Sequence, residues 1–469
     1  MLQLFGRHNK AQRVLLLGLD CASPHLIFQQ FRDDLPTLHS LMQDGTWGEL
    51  ESSIPCITVP AWASMTSSRD PGVLGIYGFR NRADYSYDAL TVANSSAIKE
   101  ARVWDIIGED GKQSLVMNVP QTYPVKPING HLASSFLTPH TGAQFAYPAI
   151  FKQEILKIAP HYDFDVRNFR NVERAELLQR LIDLTEIQYR VLEYALTHKD
   201  WHFAMHVNIG VDRIHHAFWR YHDPQHRLHE ARSPFTNAIR DYYKLVDTWI
   251  GRILKQVDED VTVIIASDHG VKRMDGAIAI NEWLWRNGWL VLKNEPDSAT
   301  TFSHDIVDWS RTKAWSTGGY YGRIFLNVAE REPQGVIAQS DYEKVRDDLA
   351  AQIKAIPDDK GQPLNTQVFT PQAIYQEVNH IAPDLMVYFG DLHWRAVGGI
   401  GLGQHFTLEN DIGPDDANHA PNGMFILRHP HKKGRGCVTS SQLMDIAPTI
   451  LNLMQIPIPK TMQGHIIEI

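Results

Sequence analysis

The stretch RVLLLGLD, residues 13–20, is a short unbroken apolar run that ends in an acid. A strand buried on both faces reads this way, because a parallel sheet covered by helices leaves neither side to water. The segment that follows, HLIFQQFRDDLPTLHSLMQDG (25–45), has helical periodicity and stops at Gly45. VTVIIASDHG (261–270) repeats the opening pattern, and HFAMHVNIGVD (202–212) is a third, less pure strand. Helical stretches at 174–198 and 233–257 lie between them. This alternation predicts an α/β fold, a mostly parallel sheet sandwiched by helices. Such sheets hold ligands at the carboxyl ends of their strands. Chemistry is therefore expected at Asp20, Asp212 and the pair Asp268-His269.

The pattern extends over the whole chain of 469 residues, which is read as a single catalytic domain. Composition changes between about 300 and 390, where DWSRTKAWSTGGYYGRIFLNV promises short strands and turns and SDYEKVRDDLAAQIKAI a helix. This part is expected to be a smaller inserted subdomain or lid. The tail returns to helix in SSQLMDIAPTILNLM (440–454).

Bulk composition narrows the function. Apolar residues make up 43% and charged residues 21%, the values of an ordinary folded protein. Lys and Arg number 45 against 54 Asp and Glu, a net charge of -9, which argues against a nucleic-acid polymer as partner. A small phosphate substrate stays open, because bound cations reverse the sign locally. No run approaches the ~18 apolar residues of a membrane span. The N-terminus lacks the apolar stretch and cleavage site of a secretory signal. Three cysteines, an odd number without CxxC spacing, give no disulfide framework. A cytoplasmic location is expected.

Asp268-His269 stands where a strand ends, and Gly270 permits the turn that would bring both side chains to one cation. Alone, the dipeptide is as consistent with capping. Asp212 and His216, in VDRIHHAFW, are spaced i, i+4, so both point one way from a helix and could share a metal. His215 faces about 100° away. Such pairs are more often local hydrogen bonds, and Asp20 could equally be a helix cap. In IPCITVPAWASM, Pro60 suits a first helical turn, which places Thr58 just before a helix N-terminus, a natural seat for phosphate. By itself that reads as a plain cap. A threonine hydroxyl is a poor nucleophile unless a cation lowers its pKa, so Thr58 makes chemical sense only if the Asp and His pairs are ligands. His419, in NDIGPDDANHAPNGMFIL, could complete a site with Asp212 and His216, and His405 in GLGQHF is its rival. Asp411, Asp415 and Asp416 have the density of a calcium loop without the Glu that an EF-hand requires.

Taken in order, these segments resemble the type I phosphodiesterase/nucleotide pyrophosphatase branch of the alkaline phosphatase superfamily. The motifs are an Asp ending the first strand, Thr-x-Pro-Ala-Trp, Asp-x-x-x-His, Ser-Asp-His-Gly, and a His shortly before Pro-x-Gly-x-Phe-Ile. INEWLWRNGWL, DWSRTKAW, REPQGVI and APDL add to the likeness. The resemblance implies an alkaline-phosphatase-like fold and two divalent cations, zinc with manganese as the alternative. It assigns Asp20, Thr58, Asp268 and His269 to one cation and Asp212, His216 and His419 to the other, and it prefers His419 to His405. Thr58 would attack phosphorus and carry a phosphothreonine. Two departures stand out. Leu74-Gly75-Ile76 replaces a common His-Gly-Ile, and the Asn that holds a phosphoryl oxygen has only Asn81 or Arg80 of FRNR to match it; Asn81 is the choice. Sulfatases use a C/S-x-P-x-R frame, which Cys56 lacks, and Ser nucleophiles mark other branches. The alternatives are a phosphomonoesterase or phosphonate hydrolase on the same ligands, a transferase to an acceptor alcohol, and a non-catalytic metal-binding protein. Tyr85 and Tyr87 are read as packing residues or as stacking partners for a base.

Overall fold

The computed structural model describes residues 12–408 and 413–469. Asp411 lies outside them. The run at the start forms the strand Val14–Leu19, buried along its whole length. It is the middle strand of a nine-stranded sheet in the order Gly436–Gln442, Thr46–Glu51, Asn422–Arg428, Thr262–Ala266, Val14–Leu19, Phe203–Asn208, Ser114–Met117, Gly130–Ala133, Ala146–Tyr147. From Thr262–Ala266 across to Gly130–Ala133 every neighbour is parallel, with Gly18 opposite Ala266 and Val207. Antiparallel pairing is confined to the Asn422–Arg428 strand and the Ala146–Tyr147 edge.

Alternation along the strand divides the core. Leu15, Leu17 and Leu19 face the helices Arg174–His198, Gly210–His222 and Ala238–Leu254. Val14 and Leu16 face Trp62 and Met65 of the Thr58–Ser67 helix and the Ile446–Leu453 helix. Each face buries one apolar set, the arrangement a parallel sheet requires. The segment 25–45 is not one helix. It is broken into Leu26–Gln30, Arg32–Asp34 and Pro36–Asp44, because Pro36 disfavours helical backbone at Leu35 and starts a new helix itself.

A second sheet, wholly antiparallel, has the order Ala314–Thr317, Gly322–Leu326, Leu385–Tyr388, Gln367–Phe369. It shares an apolar cluster with Leu349 and Ile353 of the Tyr342–Lys354 helix. Tyr87 stacks on Trp309 at 3.6 Å and is a packing residue; Tyr85 is exposed. No helix among the described residues is long and apolar enough to cross a membrane.

Candidate metal centre

Three parallel strands deliver their acids to one edge. Asp20 follows Leu19, Asp268-His269 follows Ala266, and Asp212 lies in the first turn of the Gly210–His222 helix that leaves the Phe203–Asn208 strand. His419 arrives on the strand Ala417–Ala420, paired antiparallel with Gly270–Arg273. Asp20, Thr58, Asp212, His216, Asp268, His269 and His419 are all buried.

Thr58 is the first residue of the Thr58–Ser67 helix, and Ile57 rather than Thr58 occupies the cap, with no side-chain cap bond. The Thr58 hydroxyl faces inward instead, 3.5 Å from Asp20 Oδ1 and 3.3 Å from His269 Nε2. His269 Nε2 is 3.2 Å from Asp268 Oδ2 and 3.8 Å from Asp20 Oδ1. Trp62, one helical turn on from Thr58, donates its indole N–H to Asp20 Oδ2 at 2.8 Å.

Beside this group sits another. His216 Nε2 lies 3.2 Å from Asp212 Oδ1 and 3.3 Å from His419 Nε2, and His419 Nε2 is 3.5 Å from Asp212 Oδ1. The rings of His269 and His419 stack at 3.8 Å, so the two groups abut. Asp212, His269 and His419 also present ligand atoms within 4.8 Å of one another, as do Asp20, Asp268 and His269.

The ring tautomers are fixed by their outer partners. Nδ1 of His269 faces the Gly270 carbonyl at 3.1 Å, Nδ1 of His419 faces the Cys56 carbonyl at 2.9 Å, and Nδ1 of His216 faces an Asp415 oxygen at 2.7 Å. Carbonyls accept and cannot donate, so Nδ1 of His269 and His419 carries the proton and Nε2 turns a lone pair inward. Asp212 Oδ1 and Asp268 Oδ2 are buried without any hydrogen-bond donor. Lone pairs and carboxylates that converge in the interior repel one another unless a proton or a cation lies between them. This donor set of imidazole nitrogen and carboxylate oxygen fits divalent ions.

Electrostatics agree. Burial, and then the charge of Asp212, push the Asp20 carboxyl well above the usual range. Burial and Asp20 do the same to Asp268. Burial alone would raise Asp212 too, but His216 and His419 hold it well below the ordinary value. Burial lowers His269 and His419, whereas for His216 burial is outweighed by Asp415, Tyr320 and Asp212, which hold it well above its ordinary value.

Other expected residues lie elsewhere. His215 turns away to Tyr243, with Nε2 3.2 Å from the phenol oxygen. His405 packs against Phe406 with tilted rings and neighbours Arg286 and Glu282. The Asn81 amide is engaged in a turn, accepting from Tyr77 N at 2.8 Å and donating to the Gly78 carbonyl at 3.1 Å. Asp416 pairs with Arg220. Two contributors are invisible as motifs. Arg213 bridges Asp212 and Asp165, and Tyr320 stacks on His419 at 4.2 Å while its hydroxyl accepts from Arg170 at 2.6 Å. Gly318 admits the Tyr320 loop, since a Cβ there would sit 2.9 Å from Gly398 N.

A family model described as type I phosphodiesterase / nucleotide pyrophosphatase matches residues 14–415. The chain belongs to that family. Its members hydrolyse phosphoesters, and the match takes in Asp20, Thr58, Asp212, His216, Asp268 and His269 but not His419. No curated protein matches the sequence. Among solved structures the chain is similar to human ectonucleotide pyrophosphatase/phosphodiesterase 5, with TM-score 0.56 and 13% identity over 96% of each chain. It is also similar to an inactive variant of the murine protein in complex with AMP, with TM-score 0.55, 13% identity and the same coverage. Phosphonoacetate hydrolase from Sinorhizobium meliloti in complex with phosphonoformate aligns with TM-score 0.59 and 13% identity over 95% of this chain and 96% of its own. At such identity the likeness is one of fold: a mostly parallel sheet flanked by helices, as in alkaline phosphatases.

Proposed function

We propose that this member of the family hydrolyses a phosphodiester or pyrophosphate through a phosphothreonine on Thr58, with two divalent cations, zinc or alternatively manganese. The observation that carries the proposal is the Thr58 hydroxyl, a helix-start threonine that caps nothing and faces Asp20 and His269. Asp20, Asp268 and His269, together with Thr58, would hold one cation; Asp212, His216 and His419 would hold the other. When bound, the cations would supply charge neutralisation of the phosphoryl group and a lowered hydroxyl pKa.

The residues supply the rest. The Thr58 oxygen gives up its proton and attacks phosphorus in line, the P–O bond to the leaving group breaks, and the leaving oxygen takes up a proton in place of the one Thr58 released. Water then attacks the phosphothreonine from the vacated side and releases Thr58 as the alcohol. The N–H groups of Thr58 and Val59, at the start of the Thr58–Ser67 helix, have no partner within the helix and would donate to the transferred group. They join Asn81 as donors to a nonbridging oxygen, its amide keeping one N–H beyond the bond to Gly78.

The whole chain acts as one catalytic domain, with about 300–390 as an inserted unit that forms the substrate rim. Support comes from Tyr320, which that unit lays against His419 and His216. A cytoplasmic setting is supported by the three free thiols of Cys21, Cys56 and Cys437. The same ligands would serve a phosphonate hydrolase, a reading favoured by the fold shared with phosphonoacetate hydrolase.

The test is a rate comparison on an aryl phosphodiester, an aryl phosphomonoester, a nucleotide pyrophosphate and phosphonoacetate. Each is run after chelation and after addition of zinc or manganese, with acid-quenched samples digested to locate a phosphoryl adduct. Metal-restored cleavage of the diester or pyrophosphate and an adduct on Thr58 are expected. A protein inert to all four substrates with either metal would overturn the proposal.

A further inference from the structure

Asp415 is the residue on which three separated segments meet. Its carboxylate is completely buried. One oxygen, Oδ1, lies 2.7 Å from His216 Nδ1. The other, Oδ2, accepts from Arg170 Nε and Nη2 at 3.1 and 2.8 Å and from Arg395 Nη1 at 3.1 Å. Arg395 is itself buried, on the strand Trp394–Val397, with its guanidinium 4.9 Å from the Tyr320 ring centre. Arg170 also donates to the Tyr320 hydroxyl.

A neutral imidazole has one N–H and one lone pair, and whichever nitrogen donates leaves the other to act as ligand. An ionised carboxylate only accepts, and two guanidiniums on its far oxygen favour the ionised form. The proton of His216 is thereby kept on Nδ1, and Nε2 is directed at Asp212 Oδ1 and His419 Nε2. We infer that Asp415 is a positioning residue that orients His216 and sets cation affinity at the Asp212–His216–His419 site, with Arg170 and Arg395 securing its charge. This rests on the proposal above that those three residues hold a cation. Without Asp415 the ring could rotate or exchange tautomers, and Nε2 would lose the basicity that a hydrogen-bonded carboxylate confers. Outer partners of this kind change metal affinity by about 10–100-fold.

A purely structural reading makes the cluster an interior clasp between the segments bearing Arg170, Arg395 and Asp415. The two readings differ in what Asp415→Asn does. Asn keeps the shape and one acceptor oxygen but removes the charge.

The experiment uses the full-length protein, stripped of metal and dialysed against buffered free Zn2+, with bound metal counted for wild type, His216→Ala, Asp415→Asn and Arg170→Met. Cobalt-substituted spectra and melting curves in chelator accompany each. Wild type should bind two ions, and His216→Ala should lose one; if it does not, the ligand assignment fails and this inference with it. Asp415→Asn should keep the first ion with wild-type affinity and bind the second about 10–100-fold more weakly, with a changed cobalt band and a melting curve in chelator like that of wild type. Equal affinity for both ions in Asp415→Asn overturns the inference. Should Asp415→Asn fail to fold, Arg170→Met decides: several-fold weakening at the second ion alone upholds the inference, and unchanged binding sinks it.

Discussion

The indole of Trp62 donates to Asp20 across 2.8 Å, from the same helix that begins with Thr58. This bond takes one carboxylate oxygen and leaves the other for the site. Trp62→Phe keeps the packing and deletes the donor, leaving a buried oxygen unsatisfied. We expect about tenfold weaker metal binding at the Asp20 site, read by chelator competition, and wild-type affinity there would refute the role. Gly18 belongs to the same arrangement: a Cβ would lie 2.5 Å from the Trp62 ring and 2.9 Å from Val207. Gly18→Ala should cost about 1–3 kcal/mol by overpacking, measured by denaturant unfolding, and should weaken the same site.

Thr58→Ala should abolish turnover while two ions still bind, because the five contacts among the Asp and His side chains do not involve its hydroxyl. Thr58→Ser should retain activity. With a chiral phosphodiester, two in-line displacements give net retention at phosphorus. Inversion would show direct attack by water and remove Thr58 from the reaction.

Metal uptake should release protons. Burial and neighbouring carboxylates raise Asp20 and Asp268 in the metal-free protein, so the folded state holds protons that the unfolded chain gives up near about 3.9. Their contribution to metal-free stability is complete below that value and is lost as pH rises through the raised values. Ions that bind the ionised forms reverse this loss. The melting-temperature gap between metal-loaded and chelated protein should therefore widen from pH 5 to pH 8. A gap independent of pH contradicts the shifts.

His206, in the middle of the Phe203–Asn208 strand, has neither ring nitrogen hydrogen-bonded and is pushed down to about 3 by burial. The unfolded chain takes up a proton below about 6.5 that the folded chain refuses. Stability contributed by this group is thus present above 6.5 and falls as pH drops toward 3, by about 1.4 kcal/mol per pH unit. His206→Leu should flatten the acid limb of a stability–pH curve by that amount between pH 6 and pH 4. An unaltered limb would mean that His206 titrates normally.

Much of this was readable along the chain. Strand-ending acids announce themselves because a buried strand is an apolar run, and the i, i+4 pair Asp212/His216 because helix geometry puts both on one face. The residues just beyond Leu19 and Ala266, Asp20 and Asp268, reach one edge simply because parallel strands share a direction. Local spacing also placed Thr58 at a helix start, within one position.

What the chain order could not show is which distant groups complete the site. His216 meets Asp415 across 199 positions, and His419 meets Cys56 across 363. Tyr320 and Arg395 carry no motif at all. Asn81 was singled out for its chemistry alone, and the structure engages its amide with Tyr77 and Gly78. Periodicity reports the face a side chain occupies on its own element; crossovers and loop closures, which involve no local pattern, decide what lies opposite it.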